Sequence, residues 1–262
     1  HTTTFNPTWS EEDDQRARWE NSELDYLHEF LCELGDFEQG VFRNQFLDSA
    51  LQKGREEELT YSLQPKINSI RAMGVDWDKY EATPNVCVVE IDPKDQLHYR
   101  VIYREDIPQT QHTLDFAVNR VVDLEKVFRP SFVYVDRGYG ELQYEQLQLK
   151  GLVNVKGIAY NAKTAYFDPI SGETKKLPYK HVMVNIAQWM FEKGFIKLSE
   201  TDKSFISQLQ LFRVEKITPT GIPVYSSKND HAVMSFIMAL FALVEHYNNP
   251  FTRRRQWGDP RV

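Results

Sequence analysis

Residues 132–136, Phe-Val-Tyr-Val-Asp, form a short apolar run that stands between two helical patterns and stops on a carboxylate. Upstream, 113–128 reads as a helix that turns Phe116, Val121, Leu124 and Phe128 towards a core and is closed by Pro130. Downstream, Gly138 and Gly140 lead into a short helix over 142–150. A strand entered from one helix and left through another implies a crossover. This run is therefore expected to lie parallel to an earlier strand, in an α/β fold.

The rest of the chain supplies that earlier strand. Runs at 69–75, 86–91 and 98–105 read as strands, the last two joined by the tight turn 92–96, which gives an antiparallel meander. A further strand is expected over 152–159, helices over 180–193 and 203–211, and a hairpin over 212–224 that turns at Thr218-Pro219-Thr220-Gly221. The final helix, 230–247, carries one apolar stripe of Val233, Phe236, Ile237, Leu240 and Val244. Before the meander, 9–34 reads as a helix around Trp19, Leu24, Leu27, Phe30, Leu31 and Leu34, stopped by Gly35. A short helix follows at 44–53, and the acidic 54–58 reads as a linker or solvated face. The expected division is a helical linker segment over 1–65, a globular domain over 66–250 and a basic tail over 251–262.

Of the 262 residues 41 % are hydrophobic and 13 % aromatic, enough for a sizeable core. No run approaches the ~18 apolar residues of a membrane span. The charged first thirty residues are not a signal peptide. Cys32 and Cys87 lie far apart with no metal-like spacing, as free thiols in a reducing compartment would. The start at His1 reads as that of an excised piece or a tag scar. A net charge of −7 speaks against a nucleic-acid partner only on average, because residues 1–60 hold 15 acidic and 5 basic side chains and the remainder 23 and 26. The larger part is mildly basic and permits DNA contact through local patches.

Asp76 ends the first strand, Asp136 ends the fourth and Asp230 opens the last helix. If the first and fourth strands run side by side, Asp76 and Asp136 meet, and Asp230 joins them once the last helix packs on the sheet. Three carboxylates in one place repel one another unless a cation compensates them. Hard oxygen ligands suit Mg²⁺ or Mn²⁺, and two such ions about 4 Å apart activate water for phosphodiester hydrolysis. Asp78 is an auxiliary ligand if the strand continues, and Gly138 and Gly140 would let backbone approach a phosphate. An Asp at a strand end is also an ordinary turn residue, Asp230 also suits a helix N-terminus, and His231 is an ordinary surface histidine. No G-x-x-x-x-G-K-[ST] loop, G-x-S-x-G elbow, H-E-x-x-H or C-x-x-C occurs, so ATP, serine, zinc and dithiol chemistries have no support here.

The order of these elements resembles the nuclease domain of the large terminase subunit of tailed bacteriophages. The resemblance is carried by GVDWD at 74–78, YVDRGYGE at 134–141 and KNDHAVMSFIMALFAL at 228–243. FLCELGDFEQGVF at 30–42 is similar to the segment that follows the family's ATPase module. The resemblance implies an RNase H-like fold, a central mixed β-sheet flanked by helices. It also implies a metal-dependent endonuclease that cuts concatemeric double-stranded DNA during genome packaging. Asp76, Asp136 and Asp230 fall on the family's metal-binding positions, for two Mg or Mn ions. The hairpin 212–224 falls where the family has one beside its active site, which makes Arg213, Lys216 and nearby Lys228 candidates for DNA phosphates. Implied partners are double-stranded DNA, the small terminase subunit and the portal protein, in the host cell cytoplasm and with no membrane; the isolated domain would be monomeric. The chain departs from the family in lacking a Walker loop, and in having His231 where an additional acid often stands beside the third motif.

Two other readings use the same residues. A junction resolvase or transposase, also RNase H-like, would employ the same carboxylates. A non-catalytic docking module would act through the acidic N-terminal segment or Arg253-Arg254-Arg255.

Overall fold

The computed structural model describes residues 9–20, 26, 40–65, 69–77, 83–108, 114–167, 174–219, 221–225 and 230–247. The central sheet contains β1 (Arg71–Asp76), β2 (Asn85–Ile91), β3 (Tyr99–Asp106), β4 (Phe132–Asp136), β5 (Val155–Ile158) and β8 (Ile196–Lys197). Its order is β5-β4-β1-β2-β3-β8. β1, β2 and β3 form the expected antiparallel meander, and β4 returns parallel to β1, with Val75 opposite Val135. β5, reached from β4 through α4 (Glu141–Leu149), extends the parallel side. β8, absent from the sequence reading, pairs in parallel with β3.

β1 and β2 are buried along their whole length, as strands covered on both faces must be. One face meets α3 (Leu114–Phe128), against which Met73, Val75, Val133 and Val135 pack. The other face meets α7 (His231–His246), with Ala72 and Tyr134 in its cluster. α5 (Tyr179–Glu192) and α6 (Lys203–Leu211) cover α7 from outside. Every residue of α7 from Ala232 to Val244 is therefore buried. The expected single stripe was too narrow: a helix that is apolar all round lies inside the protein.

Phe116 is another correction, since it is 38 % exposed. The buried face of α3 is Ala117, Val121, Leu124 and Phe128, with Val118, and residue 116 lies about 140° around the helix from 121. α2 (Asn44–Glu56) runs through the stretch expected as a linker. A Cβ on Gly54 would stand 2.7 Å from the Leu198 carbonyl carbon, so the residue packs rather than links. Val41, Phe42, Leu47 and Ala50 join the α7-side core, and Glu57 meets Lys197 Nζ at 2.7 Å within a buried network that includes Asp92, Glu90, Arg71 and Arg100. Residues 41–57 thus share the core of the following domain.

α1 (Glu11–Glu20) occupies the start of the expected long helix; the rest of that helix, Cys32, Asp78, Lys228 and the basic tail lie outside the described residues, Tyr26 excepted.

Candidate active site

Asp76 and Asp136 are the last residues of neighbouring parallel strands, about 4.8 Å apart by strand spacing. Side chains alternate along a strand, and Ala72 and Tyr134 face α7, so Asp76 and Asp136 share that face. α7 lies close over β1 because Gly74 has no side chain: a Cβ there would meet the Ser235 carbonyl and stand 2.7 Å from the Ala239 nitrogen. This approach brings the start of α7, and with it Asp230, to the strand ends.

All three carboxylates are buried, at 4 %, 3 % and 6 % exposure for Asp76, Asp136 and Asp230. Asp230 occupies the N-cap position of α7 without making a side-chain cap bond. The amide of Ala232 is taken by Gln208 Oε1 at 3.1 Å instead, so capping does not account for the buried acid. Its carboxylate faces Lys180 Nζ at 3.4 Å. Asp136 accepts from the amide of Gly138 at 2.8 Å and of Tyr139 at 3.5 Å. Tyr160 donates its hydroxyl to Asp76 Oδ1, and His231 Nδ1 lies 2.7 Å from Asp76 Oδ2.

Burial, with the charge of Asp76 added, pushes Asp136 up to about 6. Burial also raises Asp230; the Asp76 charge adds to this, and Lys180 and His231 work against it. The Tyr160 hydroxyl is raised well above its ordinary value, first by desolvation and then by the charges of Asp76 and Asp136, with Asp230 contributing. It remains a donor throughout the physiological range.

The three acids offer hard oxygens of like charge in buried surroundings, a donor chemistry that suits Mg²⁺ or Mn²⁺. As the side chains stand, no group of three or more His, Cys, Asp or Glu among the described residues is gathered to hold an ion. Each carboxylate is engaged by a protein partner instead.

Three features of the site differ from the sequence reading. Gly140 serves packing, since a Cβ on it would stand 2.6 Å from Trp77 Nε1 and closer still to the Asp136 carbonyl, while Gly138 gives its amide to the Asp136 carboxylate. His231 is bonded to Asp76 rather than standing as an ordinary surface histidine. Tyr160 and Lys180 were missed. They bracket an unforeseen hairpin, β6 (Lys163–Phe167) and β7 (Thr174–Pro178), and nothing local in the sequence marks either as a neighbour of the carboxylates. The expected hairpin is present as β9 (Val214–Ile217) and β10 (Pro223–Tyr225), with Arg213 and Lys216 exposed.

The mixed sheet covered by helices on both faces, with acids at the ends of its central parallel pair, is an RNase H-like architecture. The large terminase nuclease of thermophilic phage G20c is similar to this chain, with a TM-score of 0.58 at 19 % identity over 78 % of this chain and 98 % of that one. The same nuclease with bound magnesium gives 0.56 at 20 % identity, over 77 % and 96 %. The large terminase of another thermophilic bacteriophage gives 0.63 at 12 % identity, over 93 % of this chain and 54 % of that protein, so this chain spans about half its length. The likeness at these identities is one of fold. No family model and no curated protein matches the sequence. Among the described residues no helix is long and apolar enough to cross a membrane.

Proposed function

We infer that this chain is the nuclease part of a viral DNA-packaging terminase, hydrolysing phosphodiester bonds of concatemeric double-stranded DNA with two divalent ions, Mg or Mn. The observation that carries this is the burial of Asp76, Asp136 and Asp230 where β1, β4 and the start of α7 converge. In this proposal Asp76, whose charge acts on both of the others, would be the ligand common to the two ions. Asp136 and Asp230 would complete the separate ligand sets, with Asp78 as an auxiliary. When bound, the ions supply Lewis acidity, drawing charge from the phosphate and making water more acidic.

The protein's own share is positional. The β1–β4 ladder fixes the spacing of two acids, and the tight contact at Gly74 sets the third against them. Asp136 is kept at the strand end by the amides of Gly138 and Tyr139. Lys180 offsets the charge of Asp230. Arg213 and Lys216, exposed on the β9–β10 hairpin, together with Lys228, are the proposed phosphate contacts. We propose that a segment within residues 1–65 joins an ATP-dependent motor, that the nuclease over 66–250 takes residues 41–57 into its core, and that 251–262 is a basic tail. In that assembly the partners would be the small subunit and the portal protein, in the host cytoplasm.

Plasmid cleavage with Mn²⁺, Mg²⁺ or EDTA tests the reading, comparing the wild type with Asp136→Asn. Metal-dependent nicking or linearisation is expected from the wild type alone. Equal cleavage by both proteins would remove Asp136 from the centre.

A further inference from the structure

We propose that Tyr160 and His231 are positioning residues for Asp76, holding its carboxylate from two sides in the attitude a metal ligand needs. The proposal rests on the reading of Asp76 as a ligand. Tyr160 binds Oδ1 and His231 Nδ1 lies 2.7 Å from Oδ2, so each carboxylate oxygen has its own partner. The partners come from unrelated parts of the fold. Tyr160 stands two residues beyond Ile158, which pairs with Asp136 across the β4–β5 ladder. His231 is the first residue of α7, whose distance from β1 is set at Gly74.

An Asp side chain turns about two torsions, and the second has a broad minimum. A carboxylate tethered through one oxygen can still rock about that torsion, whereas tethering both oxygens fixes its plane. An ionised carboxylate offers about four lone-pair sites. Tyr160 and His231 occupy one on each oxygen, which leaves one on each oxygen for a cation. A carboxylate shared between two ions needs that arrangement. Partners of this kind act on metal affinity through the ligand they orient. Phenylalanine at 160 would keep the ring and lose only the hydroxyl, so the bond can be removed with little change in packing.

The test is Mn²⁺ titration calorimetry on the wild type, Tyr160→Phe, His231→Ala, His231→Asn and Asp76→Asn, with thermal midpoints in EDTA alongside. Tyr160→Phe and His231→Ala are expected to weaken Mn²⁺ binding by about 10-fold or more. His231→Asn, whose amide nitrogen can stand where Nδ1 does, is expected to recover most of the loss. The metal-free midpoints of Tyr160→Phe and His231→Ala should fall, since each leaves one oxygen of a buried carboxylate without that partner, and the Mn²⁺ affinities are compared at a temperature where every variant is folded. If Tyr160→Phe and His231→Ala bind Mn²⁺ like the wild type while Asp76→Asn does not, the ligand reading stands and the positioning role is overturned. Equal losses in His231→Ala and His231→Asn would overturn the role of His231 by assigning its effect to packing. Wild type and Asp76→Asn that bind Mn²⁺ equally, or not at all, would overturn the ligand reading and this proposal with it. Should Tyr160→Phe fail to fold, the two His231 variants decide the matter.

Discussion

Gly74 of β1 lies so close beneath α7 that a Cβ on it would stand 2.7 Å from the backbone nitrogen of Ala239. One missing methyl group thereby sets the height of the last helix over the sheet, and with it the distance from Asp230 to the strand-end acids. A structural packing feature and the geometry of the site are in this way the same feature.

Gly74→Ala is accordingly expected to lose about 1–3 kcal/mol or more of stability, because backbone on both sides must shift. Its Mn²⁺ affinity should fall as well, since Asp230 moves with α7. Denaturant melts and metal titration check this. A variant of wild-type stability would mean that α7 is not seated as described.

The metal-free protein should lose stability as the pH rises from about 4 to about 6. The folded form holds the Asp136 proton more tightly than the unfolded chain does, its value being raised from 3.8 to about 6. Stability from this group is complete below the unfolded value and is lost as pH climbs through the folded one, by roughly 3 kcal/mol at most. Asp136→Asn escapes the loss. In EDTA it should melt above the wild type at neutral pH, and the two should converge below about pH 4. An advantage of the same size at both pH values would contradict this origin.

Divalent metal should reverse that penalty. At a Mn²⁺ concentration about 100 times the dissociation constant, the wild type gains about 2.7 kcal/mol. Asp76→Asn should gain far less, and EDTA should cancel the gain. Thermal shift measurements in the two conditions give the answer.

Arg213→Ala with Lys216→Ala is expected to weaken duplex binding without altering Mn²⁺ affinity. Each phosphate contact removed lowers the salt dependence of log affinity by about 0.9, so the double variant should fall by about 1.8. Fluorescence anisotropy across a salt series measures the slope. An unchanged slope would place the phosphates elsewhere.

Much of the sheet was readable because strand and helix periods are local properties. The apolar run ending in Asp136, set between two helices, required a crossover, and β4 does lie parallel to β1. The turn at 92–96 fixed the β2–β3 pairing, and the three acids were picked out because each closes or opens an element. Periodicity was less informative where burial came from several directions. The stripe on α7 shows that one face is apolar, but only the packing of α5 and α6 onto its outer side decides that residues 232–244 are all buried. Phe116 failed for a related reason: a helical pattern tolerates neighbouring phases, and the sheet selects the one centred on Val121 and Leu124.

The sequence by itself therefore determined most of the elements, β6, β7 and β8 excepted, with the core of their order in the sheet and the acids at their ends, since these depend on residues a few positions apart. Tertiary structure alone decided which partner each acid receives. The bond between His231 and Asp76 joins positions 155 residues apart, and Tyr160 reaches the same carboxylate across 84. Such contacts follow from how closely packed parts approach, the backbone of α7 over Gly74 and the Trp77 ring against Gly140. That distance is a property of the packed layers, and no local pattern encodes it.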